Sequence, residues 1–235
     1  MNNQLIVCGD SWMTPTIEEK FKGTHFSEII SEELSLEIIP FSKGGMSNGG
    51  ICITIEESIR LNPKLILIGT TYYDRGEIIY PYASGNIDKL KPYHIKYEWA
   101  YDLSYRKFTK VQNSSEIYSI PFNSHDHIPD HQKKTLKKYL TDLYHPGYKI
   151  YQDNMMLYTA FHKLVESKIN FIFVVDNTPN FINEIPWLDK NKNYAYKELE
   201  PFLNYNNLDI NPGYHTSVDN QKIIAKILLE NYINE

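Results

Sequence analysis

Disulfides cannot organise this chain, which carries only two cysteines, Cys8 and Cys52, in 235 residues; a disulfide scaffold is far denser in cysteine. Cys8 lies inside an apolar run, where a free thiol behaves as a small hydrophobe. Arginine is almost as scarce, with Arg60, Arg75 and Arg106 the only three among 24 basic side chains. Arginine is the preferred reader of phosphate and the formal net charge is −5, so a basic footprint for nucleic acid is missing. No apolar run approaches the roughly 20 residues that cross a bilayer. The N-terminus enters an apolar strand directly, without the basic region and cleavable segment of a secretory leader. The expectation is a soluble, cytoplasmic protein with no nucleic-acid or membrane partner, carriage on a phage virion being the exception.

What is present is a regular alternation. Hydrophobic residues make up 42% of the chain, enough for a full core, and the length suits one domain spanning 1–235 with a large insertion. "QLIVCGD" (4–10) is a short apolar run ending in turn residues, a buried strand by pattern. "TIEEKFKGTHFSEIISEEL" (16–34) has apolar residues at helical spacing with acidic residues early. A second strand over "LEIIPFSKGG" (36–45) ends in a glycine pair. "SNGGICITIEESIRLNP" (47–63) reads as a helix capped near Ser47 or Asn48 and stopped before Pro63. "KLILIGTT" (64–71) is a third strand. This order argues for a parallel sheet covered on both faces, a flavodoxin-like three-layer α/β/α sandwich.

From Tyr72 to about Tyr148 the rhythm breaks in a stretch rich in tyrosine and proline. A structureless loop of that length is improbable, so an insertion with structure of its own is expected, including a surface helix over "HQKKTLKKYLTDLY" (131–144). The alternation resumes with a helix over 148–167, the strand "NFIFVVDN" (170–177), a loop with short helices, and a final amphipathic helix in "HTSVDNQKIIAKILLENYI" (215–233).

In a parallel α/β sheet, ligands bind beyond the carboxyl ends of the strands, where strand order reverses. Ser11 follows the first strand. Gly44, Gly45, Ser47 and Asn48 follow the second, Thr70 and Thr71 the third, and His215 sits in the "DINPGYH" loop (209–215) before the last helix. Ser11 is either a helix cap or a nucleophile. The residue types fit acyl transfer: a serine needs a base, which His215 can be. An oxyanion needs donors, which the unobstructed Gly45 N–H and the Thr71 hydroxyl can supply.

These blocks resemble those of the SGNH (GDSL-type) hydrolases. "GDS" (Gly9–Asp10–Ser11) resembles the first block, "KGGMSN" (43–48) the second, "LILIGTTYYD" (65–74) the third and "PGYHTSVDNQKIIAKIL" (212–228) the last. The resemblance implies Ser11 as nucleophile and His215 as base, with Ser11, Gly45 and Thr71 as the oxyanion site. Two positions depart from the family pattern. Thr71 stands where the family has asparagine, and Pro212 stands where it has the aspartate of the triad, leaving Asp209 as the candidate third member, with Asn211 beside it. Asp10, Tyr72, Tyr73 and Arg75 are the candidate substrate contacts, tyrosine offering a flat apolar face and a hydroxyl to a sugar ring. The reaction so implied is hydrolysis of a small acyl ester, a carbohydrate O-acetyl group among the candidates. Acyl transfer to an alcohol, or a binding protein whose site has drifted, are the alternatives. No metal or organic cofactor is implied.

"HDHIPDH" places His125, His127, Asp130 and His131 at a spacing that can hold zinc. It resembles the metallo-β-lactamase motif with one residue too many, and the flanking alternation does not suit that fold. The stretch is taken as an exposed polar loop, with no metal assigned.

Overall fold

The computed structural model describes residues 1–15, 21–43, 46–71, 75–80, 94–96, 99–102, 107–110, 116–121, 130–175, 197–198 and 217–233. In chain order the elements are β1 (Asn2–Cys8), a short 3-10 helix (Ser11–Met13), α1 (Phe26–Glu33), β2 (Glu37–Pro40), α2 (Asn48–Leu61) and β3 (Pro63–Gly69). Then come β4 (Arg75–Tyr80), β5 (His94–Lys96), β6 (Trp99–Asp102), β7 (Lys107–Lys110), β8 (Glu116–Pro121) and α3 (Asp130–Asp142). The chain closes with α4 (Pro146–Ser167), β9 (Asn170–Val175), β10 (Lys197–Glu198) and α5 (Val218–Ile233).

Among the described residues, five strands form one parallel sheet in the order β10-β9-β3-β1-β2. Successive side chains point to opposite faces of a strand, and here both faces are apolar. Ile6, Cys8, Ile66, Ile68, Phe171 and Phe173 pack under α2 and α4 against Ile51, Ile55, Leu157 and Phe161. Leu5, Val7, Leu65, Leu67, Ile172 and Val174 pack under α1 and α5 against Phe26, Ile30, Ile224 and Leu228. The result is the three-layer α/β/α sandwich that the alternation implies. Cys8 is part of this core: burial pushes its thiol up to about 11, with Ser58 Oγ at 3.2 Å from its sulfur.

From β1 the chain crosses to β2 on one side, and then to β3 on the other, so strand order reverses between β1 and β3. Their register pairs Val7 with Leu67 and Cys8 with Ile68, and the two strands therefore end side by side. The segments leaving these two strands meet at one place on the carboxyl edge.

Of the helix read over 16–34, residues 16–20 lie outside the described residues, and α1 starts at Phe26. Gly23 adopts φ 78°, a left-handed conformation that interrupts a helix and suits glycine. α1 begins behind a capping box: His25 caps Ser27 N–H while Glu28 Oε2 accepts from the His25 N–H at 3.1 Å. The second helix is capped by Ser47 as expected. β10 falls where the sequence suggests a loop, because its two residues are too few to show a period. Between β3 and α4 the chain does carry structure of its own: the antiparallel sheet β4-β8-β5, the antiparallel pair β6-β7, and α3. β4 lies against α2. α4 begins two residues earlier than expected, at Pro146, because His145 caps it and proline suits the first helical turn.

Candidate active site

Gly9 carries the chain out of β1 at φ 153°, where a side chain is disfavoured. The next turn is held down by Met13, which fills the gap between the ends of β1 and β3. A Cβ on Gly9 would lie 2.3 Å from Met13 Cγ, and one on Gly69 would lie 2.2 Å from the same atom. Met13 thus crowds both positions, and Gly9 is required by its φ as well.

Asp10 then caps the 3-10 helix. Its Oδ1 accepts from the Trp12 N–H at 2.9 Å, and its main-chain oxygen accepts from the Met13 N–H at 3.1 Å and the Thr14 hydroxyl at 2.9 Å. The choice posed by the sequence, cap or nucleophile at Ser11, is narrowed by this arrangement, since the capping oxygen belongs to Asp10. Ser11 opens the helix and is half-buried at the switch point between β1 and β3.

Thr71 arrives at the same place from β3. Its hydroxyl donates to Asp10 Oδ2 at 2.8 Å. A hydroxyl has one proton to give, and in this arrangement Asp10 receives it. Asn48, the first residue of α2, grips the Thr71 main chain twice: Oδ1 accepts from the Thr71 N–H at 2.9 Å, and Nδ2 donates to the Thr71 carbonyl at 2.9 Å. On the β2 side, the Phe41 N–H donates to the Val7 carbonyl at 2.8 Å and the Lys43 N–H to the Gly9 carbonyl at 2.9 Å. The segment leading to Gly44 and Gly45 thus starts beside the Ser11 turn.

His25 braces the turn from the opposite layer. Buried, it places Nε2 at 3.2 Å from the Trp12 carbonyl and Nδ1 at 3.3 Å from the Ser27 nitrogen. Nδ1 accepts from the Ser27 N–H, so Nε2 carries the proton and donates to Trp12. Burial lowers the imidazole to about 4, partly offset by the Trp12 carbonyl, so the ring is neutral near pH 7. The next residue, Phe26, donates its N–H to Gln221 Oε1 of α5 at 2.9 Å. The Ser11 turn and the helix that comes after His215 in sequence are therefore tied to one capping segment. Sequence reasoning missed His25; the only signal was Glu28 three residues on, a capping-box spacing usually recognised behind serine or threonine.

Of the residues singled out from sequence, Ser11, Asp10 and Thr71 are brought together. Asp10 requires a correction. As a candidate substrate contact it should present its carboxylate outward, yet it is 6% exposed and both oxygens accept internal hydrogen bonds. It serves the fold of the site. Gly45, His215, Asp209, Asn211, Tyr72 and Tyr73 lie outside the described residues, as do His125 and His127. Arg75 opens β4, and Asp130 and His131 open α3. Among the described residues no group of three or more metal-ligating side chains occurs, and no helix is long and apolar enough to cross a membrane.

No family model matches the chain, and no curated protein matches it in sequence. Solved structures do match it in shape. A protein assigned to the lipolytic G-D-S-L family, from Desulfitobacterium hafniense DCB-2, aligns with a TM-score of 0.51 at 10% identity, over 98% of this chain and 99% of that one. A protein assigned as an acylhydrolase, from Bacteroides fragilis NCTC 9343, aligns with a TM-score of 0.48 at 12% identity, over 99% of this chain and 86% of that one. The first alignment runs nearly end to end and gives this chain a GDSL-hydrolase-like fold; at such identity the likeness is one of fold alone.

Proposed function

We propose that this protein is a serine esterase of the GDSL type, acting on a small acyl ester such as a carbohydrate O-acetyl group. The observation that carries the reading is the division of labour at the end of β1. Asp10 supplies the cap, so Ser11 is not needed for it, and Ser11 stands at the switch point where ligands of such sheets bind. In the proposed reaction Ser11 Oγ attacks the ester carbonyl carbon while His215 takes its proton. The tetrahedral oxyanion is held by the main-chain N–H groups of Ser11 and Gly45. As the carbon–oxygen bond to the leaving alcohol breaks, His215 returns the proton to that oxygen. Water, deprotonated by His215, then attacks the acyl-serine carbonyl carbon; the bond to Ser11 Oγ breaks, His215 returns the proton to Oγ, and the acid is freed.

Thr71 takes part through Asp10, which receives its only hydroxyl proton. Asp209 is the proposed partner of the His215 imidazole. Tyr72, Tyr73 and Arg75 come soon after Thr71 in sequence and are proposed to meet the sugar.

A fluorophosphonate probe tests the assignment. A covalent adduct on Ser11, lost in Ser11→Ala together with hydrolysis of p-nitrophenyl acetate, is the expected result. A Ser11→Ala protein with full turnover would overturn it.

A further inference from the structure

Between α2 and α4 lies a buried ion pair. Asp153 is fully buried and the Lys149 side chain is 8% exposed, with Lys149 Nζ bonded to Asp153 Oδ1 one helical turn away. The rest of the inward seam of α4 is apolar: Leu157, Ala160, Phe161 and Leu164. Desolvating two charges is costly, and well-packed apolar side chains at such positions are often as stabilising or more so. What the pair holds is therefore more telling than the pair itself.

The second oxygen of Asp153, Oδ2, accepts from Asn48 Nδ2 at 3.1 Å. That amide nitrogen gives hydrogen to the Thr71 carbonyl as well, while Asn48 Oδ1 accepts from the Thr71 N–H. Every bond has one polarity only: the carboxylate can only accept, so the nitrogen of Asn48 must face α4. A bond to an ionised acceptor is also stronger than a neutral one. Thr71 passes the constraint on through its hydroxyl to Asp10 Oδ2, and Asp10 Oδ1 holds the N–H of Trp12, the residue after Ser11. Lys149, Asp153, Asn48, Thr71, Asp10 and Trp12 are all buried. Water therefore does not substitute readily for any link.

We propose that Lys149 and Asp153 are positioning residues for the Ser11 turn, acting from α4 through Asn48, Thr71 and Asp10. The inference rests on the reading of Ser11 as nucleophile. Its physical content is that α4, the first helix after the insertion, sets the register between the ends of β1 and β3. A nucleophile displaced by about 1 Å can lose on the order of 100-fold in rate.

The test is the double substitution Lys149→Met/Asp153→Leu, which removes both charges and leaves neither one buried alone. The variant should melt cooperatively near the wild-type temperature. Its kcat on p-nitrophenyl acetate and its labelling rate by a fluorophosphonate should fall about 10- to 100-fold, with KM within about 2-fold. Amide hydrogen exchange at Trp12 and Thr71 should quicken by about 10-fold or more, while Ile66 to Ile68 stay protected. A folded double variant with wild-type kcat and wild-type exchange overturns the proposal. If the double variant does not fold, Lys149→Gln/Asp153→Asn, which keeps the approximate size and again leaves neither charge buried alone, is read instead: a loss in kcat in the same direction supports the proposal and no loss overturns it. If wild-type protein gives no adduct on Ser11, the nucleophile reading fails. The bracing is then judged by exchange at Trp12 and Thr71 alone, and unchanged exchange overturns it.

Discussion

Thr71 and Asp10 face each other across the ends of β3 and β1, and the Thr71 hydroxyl donates to Asp10 Oδ2 at 2.8 Å. This bond joins the two strands at the point where sheet order reverses. Thr71→Val removes the donor and leaves a buried carboxylate oxygen short of a partner, at a cost of about 1–3 kcal/mol. Thr71→Ser keeps the hydroxyl and should keep the stability. Urea denaturation of the two variants checks this, and a Thr71→Val protein as stable as wild type would show the bond to carry little.

Ser11 and Asp10 should separate cleanly under mutation. Because Asp10 is both the cap and the acceptor for Thr71, Asp10→Ala should cost about 0.5–2 kcal/mol for the cap and about 1–3 kcal/mol more for the buried Thr71 hydroxyl it leaves unsatisfied. Ser11→Ala should cost less stability than Asp10→Ala while abolishing esterase activity. Calorimetry paired with p-nitrophenyl acetate turnover distinguishes the two. A large stability loss in Ser11→Ala would make that serine part of the scaffold.

Met13 should decide the fate of Gly69. In Gly69→Ala the new methyl group collides with Met13 Cγ, and overpacking of this kind costs about 1–3 kcal/mol. Truncating the neighbour in Met13→Ala/Gly69→Ala should recover part of that loss, giving a favourable coupling energy in a double-mutant cycle. Gly9→Ala should respond less to the same truncation, since it also suffers from φ 153° and from the Gly69 carbonyl at 3.2 Å. Equal rescue at both glycines would refute the assignment.

His25 gives the fold an acid-sensitive point. Burial lowers its native pKa from 6.5 to about 4, so between those values the unfolded chain binds a proton that the native state does not. Stability from this group is present above pH 6.5 and falls as pH drops toward 4, by at most about 1.4 kcal/mol per pH unit. His25→Asn keeps a capping side chain without the titration. Its denaturation midpoint should be flatter than wild type across pH 4–6.5, and identical slopes would contradict a buried neutral imidazole.

Much of the architecture was legible in the sequence, because local chemistry decides it. Apolar runs such as Leu5–Cys8 and Leu65–Ile68, apolar on both faces, specify buried parallel strands wherever they are placed. Ser47 announces the start of α2 through a hydroxyl that its own helix needs. The helix read over 16–34 shows the limit of such reading: apolar spacing alone carries the pattern through Gly23, whose conformation, with the cap at His25, sets the start of α1 at Phe26.

The residues around Ser11 divide along the same line. That Gly9, Asp10 and Ser11 end the first strand is a fact of sequence, and so is the glycine needed where the chain leaves it. Which of Asp10 and Ser11 does the capping was not, because either side chain has an oxygen suited to the task. The direction of the Asp10 carboxylate was settled by Thr71, 61 residues away, and the Thr71 main chain by Asn48, 23 residues away. Lys149 and Asp153 sit on a helix whose spacing shows only that they share a face, with nothing to say that this face is buried against α2. Periodicity records what each segment needs from its neighbours without naming them; strand order and register choose the neighbours, and only with β1 set beside β3 do these polar groups fall within bonding distance.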